Sequence, residues 1–179
     1  WNAELNQQKS NIVTAPFMLV SALLINITST GPVLYRQERT GKNGDAFTLY
    51  KFRTMTNNSD GPLWTTEKDK RVTPVGKFLR FTHIDEFPQL WSVIKGDMSL
   101  VGPRPPLQSE YCQFTEWQKQ KLFVKPGITC LWQINGRHKV NEFDHWVELD
   151  LKYIRERSFW LDLKILAKTI PVVLRGTGQ

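Results

Sequence analysis

The pattern of apolar and polar positions along the chain predicts helices separated by short extended pieces. The clearest periodicity is in Ser158–Arg175, where apolar residues recur every three or four positions and lysines lie between them. This helix is amphipathic with a basic face, and Pro171 is expected to end or kink it. Four more stretches are predicted to be helical: Val75–Phe81, Pro88–Lys95 (ended by Gly96), Ser109–Phe123 and Phe143–Arg157.

The extended pieces are short and concentrated in the first third of the chain. Val33–Tyr35 and Phe47–Tyr50 have the composition of strands, and the polar turn Gly41–Gly44 separates them. We therefore expect a hairpin here. Pro126–Gln133 is predicted to be a turn followed by a short extended piece. The expected fold class is α/β, rich in helix, with a small β-hairpin or sheet.

One long apolar run, Ile12–Ile27, lies near the beginning of the chain and contains Pro16. It is shorter than the roughly 20 apolar residues that a membrane-spanning helix needs. Three interpretations fit it: a buried core helix, an interfacial helix, or half of a re-entrant membrane hairpin bent at Ala15–Pro16. The residues alone favour the core helix. The terminal helix leaves a similar choice between covering a core and lying in a membrane interface.

Composition limits the classes of partner that the chain is expected to bind. The chain has 179 residues, a formal net charge of +7 and seven tryptophans, which suits one domain with a phosphate-rich partner such as a nucleotide, nucleic acid or anionic lipid. Cys112 and Cys130 do not have metal-ligand spacing, so both are expected to be core thiols in a reducing compartment. The sequence contains no GxGxxG, Walker A or GxSxG pattern.

The acidic pair Asp85-Glu86 is the strongest candidate for chemistry. Adjacent carboxylates repel unless a metal or cations offset their charge. Such a pair suits a divalent cation and a phosphate substrate, with one carboxylate binding metal and the other reacting. The alternative is a solvated acidic pair at a helix start, where such residues are favoured anyway. His83 could tune Asp85, although an ordinary helix-start residue is the simpler interpretation.

Several basic residues could complete a diphosphate site around that pair. Lys51 and Arg53 are two positions apart on a predicted strand and so share one face. Arg80 precedes Asp85 by little more than one helical turn. Arg104 is held between two prolines and Arg137 follows a glycine in a turn. Each alone is usually a solvated surface charge, but together they could neutralise phosphate oxygens.

Four blocks in order resemble a known family. They read GPVLYRQERTGKNGDAFTLYKFRTM, DEFPQLWSVIKGDMSLVGPRPPL, VKPGITCLWQINGR and FWLDLKILAKTIPVVLRG. Together they resemble the bacterial sugar transferases, which are monotopic polyprenyl-phosphate glycosyl-1-phosphate transferases, or phosphoglycosyltransferases. The resemblance runs from about Ile12 to the end. It is greatest to the catalytic domain of the large exopolysaccharide-initiating members.

The resemblance implies a reaction and a cofactor. Such enzymes transfer a sugar-1-phosphate from a UDP-sugar to undecaprenyl phosphate and release UMP, through a covalent aspartyl-phosphosugar intermediate. By motif, Asp85 is the nucleophile and Glu86, with Asp85, holds Mg²⁺. The resemblance also assigns residues around the donor and acceptor phosphates: Lys51, Arg80, Arg104, Arg137 and, more weakly, Gln133.

It also implies a location, the cytoplasmic face of the bacterial inner membrane, and a division of the chain. Residues 1–30 would form the re-entrant or interfacial N-terminal segment, and residues 31–179 the catalytic domain. The polar residues before Pro16 depart from the apolar start usual in the family, which bears on membrane insertion and leaves self-association open. A non-catalytic interfacial module that binds nucleotide or lipid is the alternative. A nucleic-acid binder ranks last, because adjacent carboxylates repel phosphate. The sequence leaves the sugar open.

Overall fold

The computed structural model describes residues 16–56, 69–134 and 143–174. The chain divides into two compact units. One comprises the residues up to Tyr35 together with Tyr50–Pro88, and the other comprises Arg36–Leu49 together with the residues from Gln89 onward. Each unit has its own cluster of buried apolar side chains.

Helices dominate both units, as the sequence predicts. In the first half of the chain, α1 covers residues 16–28, and a hairpin follows of β1 (Leu34–Thr40) and β2 (Ala46–Phe52). The remaining helices and strands are α2 (Pro74–Phe81), α3 (Leu90–Lys95), β3 (Ser99–Val101), α4 (Gln108–Tyr111), α5 (Glu116–Lys119), β4 (Gly127–Thr129), α6 (Leu131–Ile134), α7 (Phe143–Glu156) and α8 (Phe159–Leu174). Short 3-10 turns lie at Lys42–Gly44, Ile84–Gln89 and Gln120–Phe123.

The core of the first unit joins one residue from each of its three main elements. Ile25 of α1, Phe52 of β2 and Leu79 of α2 are buried together, and Ile84 packs against them. Among the α1 residues, only Ser21 and Ile25 are buried. The other large apolar residues of α1 are exposed: Phe17, Leu19, Val20, Leu23, Leu24 and Ile27. The prediction of a buried core helix is therefore wrong for α1, because among the described residues only one narrow face of it is covered by protein.

Arg53 attaches α1 to the end of β2. Its buried guanidinium donates to the carbonyl oxygens of Ser29 (2.7 Å) and Thr30 (2.8 Å) and to the Ser29 hydroxyl (2.9 Å). The last carbonyls of a helix have no partner within it, and a cation is favoured there by the helix dipole. Arg53 thus satisfies the backbone just beyond α1, while its neighbour Phe52 packs on the helix itself.

The second unit is built around two short parallel strands. Ser99 of β3 pairs with Gly127 of β4, and Val101 pairs with Thr129. Val101, Tyr153 of α7 and Ile165 of α8 are buried together beside them. These helices cover the strands because α7 and α8 present Tyr153 and Ile165 inward.

A buried ion pair also lies in the second unit. Lys121 Nζ lies 2.8 Å from Asp150 Oδ2, and the two side chains are only 5% and 1% exposed. Removal from water raises the pKa of Asp150, and the charge of Lys121 opposes that rise. Both charges act on the buried Cys130, to which the candidate residue Gln133 is hydrogen-bonded.

Several sequence predictions need correction. The single helix predicted for Ser109–Phe123 is wrong, because Thr115 starts a new helix. The Thr115 hydroxyl accepts from the backbone amide of Gln118, and the side-chain oxygen of Gln118 accepts from the backbone amide of Thr115. The extended piece predicted within Pro126–Gln133 ends at Thr129, and α6 follows. Pro171 lies within α8 and does not end it. Cys130 is buried as expected, but Cys112 is exposed.

Other predictions are confirmed. The hairpin forms with longer strands than expected, and α2, α7 and α8 begin and end within two residues of their predicted limits. Gly96 ends α3 in the left-handed conformation, with φ of 85°. α8 buries Ile165 and leaves Phe159, Trp160, Leu163 and Ile170 exposed, so most of the apolar stripe expected from its periodicity faces away from the core. Within the described ranges, none of the helices has both the length and the apolar character needed to cross a bilayer.

Candidate active site

The acidic pair lies on the 3-10 turn Ile84–Gln89, directly after α2. His83 links the two elements in the left-handed backbone conformation, with φ of 55°, which is uncommon for residues other than glycine. Its amide donates to the Arg80 carbonyl and its carbonyl accepts from the Glu86 amide. Ile84 packs into the core of the first unit. The chain therefore turns sharply at His83, and the packing of the partly buried Ile84 against the core holds the turn that carries Asp85 and Glu86.

Lys51 provides the cation for Glu86. Its Nζ lies 2.6 Å from Glu86 Oε1, and the side chains are 21% and 22% exposed. Lys51 is on β2, one residue before the buried Phe52, so the strand alternation that buries Phe52 turns Lys51 the other way. The predicted association of Lys51 with the acidic pair is thus present in the structure.

Among the described carboxyl groups of this unit, Asp85 has the pKa that is raised most. The pKa of Asp85 is raised to about 7, mainly by burial and then by the adjacent charge of Glu86, with Lys51 and Arg80 acting in the opposite direction. In the described part of the chain, no side chain forms a hydrogen bond or ion pair with Asp85. Asp85 is therefore a largely desolvated carboxyl group beside one like charge and two cations, and no side chain in the described part of the chain donates to it.

Arg80 lies on α2 within electrostatic reach of Asp85. Burial lowers the pKa of Arg80, and the negative charge of Asp85 opposes that effect. The Arg80 Nε donates to the hydroxyl of Thr54, at 2.9 Å. Thr73 starts α2 by accepting from the Gly76 amide, and Pro74 occupies the first turn, where its missing N–H costs nothing.

The remaining residues that the sequence suggested for the site are Arg53, Arg104, Gln133 and Arg137. Arg53 follows the last residue of β2 and binds the backbone just beyond α1, so the structure does not bring it to the acidic pair. Arg104 and Gln133 belong to the second unit. Arg137 lies outside the described residues.

In the second unit, Arg104 follows a tightly packed backbone segment. The Gly102 amide donates to the Thr129 carbonyl, and the Gly127 amide donates to the Pro103 carbonyl. A Cβ on Gly127 would lie 2.1 Å from the Gly102 nitrogen, so only glycine permits this approach. Pro103 and Pro105 are buried on either side of the partly exposed Arg104. The backbone that presents Arg104 is thereby fixed.

Gln133 has a local structural contact. Its Oε1 accepts from the Cys130 amide at 2.9 Å and from the Cys130 thiol at 3.2 Å. Burial raises the pKa of that thiol, which keeps Cys130 protonated. The amide oxygen of Gln133 therefore helps to start α6.

The acidic pair fits a magnesium ion. Mg²⁺ prefers oxygen ligands and is usually held by one or two carboxylates, with the remaining positions taken by waters and substrate phosphates. Asp85 and Glu86 supply such carboxylates, and no side chain in the described ranges donates to Asp85. Among the described residues, no group of three or more His, Cys, Asp or Glu could enclose a metal by itself. The donor set suits an ion shared with a phosphate ligand.

The comparison with known families covers most of the chain. Residues 9–176 match the family model described as bacterial sugar transferase, which covers both units and every block quoted above. The chain belongs to the bacterial sugar transferase family. The match includes the acidic pair, Lys51 and Arg80, so this site is part of the sugar transferase sequence.

Three relatives illustrate the similarity of this sugar transferase chain. It is 48% identical to the galactosyl transferase CpsE of Streptococcus agalactiae serotype III (strain NEM316), over 83% of this chain and 36% of the relative. It is 44% identical to a UDP-glucose:undecaprenyl-phosphate glucose-1-phosphate transferase of Klebsiella pneumoniae, over 89% and 36%. It is 43% identical to the uncharacterized sugar transferase EpsL of Bacillus subtilis (strain 168), over 92% and 81%. The chain thus spans about a third of the first two relatives and most of the third.

Proposed function

We propose that this chain transfers a sugar-1-phosphate from a UDP-sugar to a polyprenyl phosphate such as undecaprenyl phosphate, with Asp85 as the nucleophile. The observation that carries the proposal is the environment of Asp85. Its carboxylate has no side-chain donor in the described ranges, and it lies within the electrostatic influence of Glu86, Lys51 and Arg80. The named reaction of the Klebsiella pneumoniae relative supports the same chemistry.

In the first step, an Asp85 carboxylate oxygen attacks the β-phosphorus of the UDP-sugar. A bond forms between that oxygen and phosphorus, the bond from phosphorus to the bridging oxygen breaks, and UMP leaves with the electron pair. In the second step, a phosphate oxygen of the polyprenyl phosphate attacks the same phosphorus and displaces Asp85. Two displacements at one atom allow a water-soluble donor and a lipid acceptor to use one site in turn.

The surrounding side chains make this attack feasible. A carboxylate approaches phosphate oxygens only when their charge is offset. Arg80 can donate to those oxygens, and Lys51 holds Glu86 so that the acidic turn keeps its shape. Asp85 and Glu86 would hold Mg²⁺, which supplies positive charge against the diphosphate when bound. Arg104, Arg137 and Gln133 are proposed as further phosphate contacts on the basis of the family motif.

We also propose that the protein works at the cytoplasmic face of the bacterial inner membrane. The exposed apolar side chains of α1 and those of α8 support this, since patches of this kind are typical of lipid or partner contact. Liposome flotation, with sedimentation in detergent-free buffer as its companion, distinguishes lipid binding from self-association. A monomer that does not bind liposomes would contradict the membrane location but would leave the proposed reaction unaffected.

The decisive experiment measures UMP release from a panel of UDP-sugars, with and without undecaprenyl phosphate and Mg²⁺. The relatives' names cite galactose and glucose, so both hexoses belong in the panel. Donor without acceptor should leave a phosphosugar on Asp85, detectable by intact mass after an acidic quench. An adduct on Glu86 would reverse the two roles. The absence of any adduct in an active enzyme would favour a single direct displacement.

A further inference from the structure

We infer that Thr54 is a positioning residue for Arg80: it fixes the guanidinium through a neutral acceptor and leaves the terminal nitrogens for a phosphate group. The inference rests on the proposed function for the identity of that group. Its starting point is the 2.9 Å bond from Arg80 Nε to Thr54 Oγ1, formed where Thr54 is only 7% exposed.

Thr54 is itself held rigidly by α2. Its carbonyl accepts from the Thr73 amide at 3.0 Å, and Gly76 packs so closely that a Cβ there would lie 2.0 Å from the Thr54 oxygen. Side chains of a helix lean toward its N-terminus. Arg80 lies two turns after Thr73, so its long side chain runs back along α2 to the hydroxyl. The first turn of α2 and the anchor of Arg80 therefore meet at one residue.

The choice of a hydroxyl has an electrostatic consequence. A carboxylate on Nε would cancel much of the guanidinium charge, whereas a hydroxyl orients the group and leaves its full charge for an incoming anion. In the described part of the chain, the Arg80 terminal nitrogens have no hydrogen-bond partner. Burial already lowers the pKa of Arg80, so the site favours a ligand that brings negative charge.

A nearby carboxylate that would compete for Arg80 is already occupied. Asp69 is close enough to act on the charge of Arg80. However, Arg71 binds Asp69 with Nε at 3.0 Å and a terminal nitrogen at 2.6 Å, and these bonds lower the pKa of Asp69 to about 2. Asp69 is thus committed to Arg71, and the arrangement keeps Arg80 available.

The test compares Thr54→Val, which removes the hydroxyl at nearly constant volume, with Thr54→Ser, which keeps it. Loss of a hydrogen bond to a charged group should lower kcat/KM by roughly tenfold in Thr54→Val, and Thr54→Ser should stay within about threefold of the parent. Thr56→Val is the matched control, because Thr56 is exposed two residues further on, and it should leave kcat/KM unchanged. Parent-like activity in Thr54→Val would overturn the inference.

A double-mutant cycle separates positioning from general destabilisation. In an Arg80→Ala background, Thr54→Val should change kcat/KM by less than about twofold, because its effect passes through Arg80. An equal loss in both backgrounds would mean that Thr54 acts by some other route. The Arg80 Nε–H resonance gives a direct reading: its exchange with water should be slow in the parent and in Thr54→Ser, and fast in Thr54→Val.

The last arm does not depend on turnover. Inorganic pyrophosphate, used as the probe, should bind the parent domain several-fold more tightly than Thr54→Val, as followed by the same Arg80 resonance. If no UDP-sugar yields UMP but this difference persists, the proposed reaction fails and the positioning role stands. If UMP is released but the Arg80 resonance is the same in the parent and in Thr54→Val, the proposed reaction stands and the positioning role fails.

Discussion

Two of the lysine–carboxylate pairs in the described part of the chain differ greatly in how far their side chains are exposed to solvent. In the second unit, Lys121 and Asp150 are 5% and 1% exposed and are matched one to one. In the first unit, Lys51 pairs with Glu86 while both side chains stay above 20% exposed, and Asp85 remains beside them without a side-chain partner in the described ranges. In the buried pair each charge is offset by its partner within the protein. The more exposed pair has a second carboxyl group, Asp85, beside it, and the proposed reaction uses that group as its nucleophile.

The largest expected effect is on activity, and it comes from a substitution in the first unit. Asp85→Asn should lower the rate of UMP release by roughly three orders of magnitude or more, since it removes the nucleophile. Its melting temperature should not fall, because the charged form of Asp85 is unfavourable in the folded state. Near-parental UMP release by this variant would remove Asp85 from the mechanism.

The complementary change acts on stability. Asp150→Asn leaves Lys121 buried without its counter-charge, so the free energy of unfolding should fall by about 3–5 kcal/mol in urea titrations. Replacing both partners, Lys121→Met with Asp150→Leu, should recover much of that loss, because no charge remains buried. If the single substitution costs less than about 1 kcal/mol, the pair is less sealed than the structure shows.

Two glycines give a smaller contrast of the same kind. Gly76→Ala places a Cβ 2.0 Å from the Thr54 carbonyl and should force α2 off β2, with a loss of about 1–3 kcal/mol or more. Gly96→Ala adds only the strain of its left-handed backbone, about 1 kcal/mol, since the nearest atom is the flexible end of Lys125. Urea titration ranks the two. Only Gly76→Ala should also impair UMP release.

The smallest expected effect is the pH dependence that Asp85 gives to the stability of the protein. A carboxyl whose pKa rises on folding binds its proton more tightly when folded, so stability declines as pH rises from about 4 to about 7, and Asp85→Asn should lose that slope. Carboxyl NMR titration of the metal-free domain should place the Asp85 midpoint near 7. Glu86→Gln should lower the midpoint by removing a like charge, and Lys51→Met should raise it. Shifts of the opposite sign would refute the electrostatic account.

Local sequence was sufficient for much of the architecture. The apolar spacing of α8, the turn residues of the hairpin and the glycine after α3 predicted elements that the structure contains, because these signals act over one or two turns. The same reasoning failed for Ser109–Phe123, where the capping exchange between Thr115 and Gln118 outweighs continued helix propensity. It also failed for α1, whose apolar residues mostly face outward.

The sequence by itself determined the chemical parts of this protein: the acidic pair, the cations that accompany it, and the four blocks of the sugar transferase family. Only the tertiary structure decided how those parts are used. Lys51 and Arg53 are two positions apart on one segment, yet one binds Glu86 and the other the backbone beyond α1. Thr54 carried no signal that marked it as the anchor of Arg80. Burial and pairing between distant residues set these roles, as they set the pKa of Asp85, and neither quantity is contained in local periodicity.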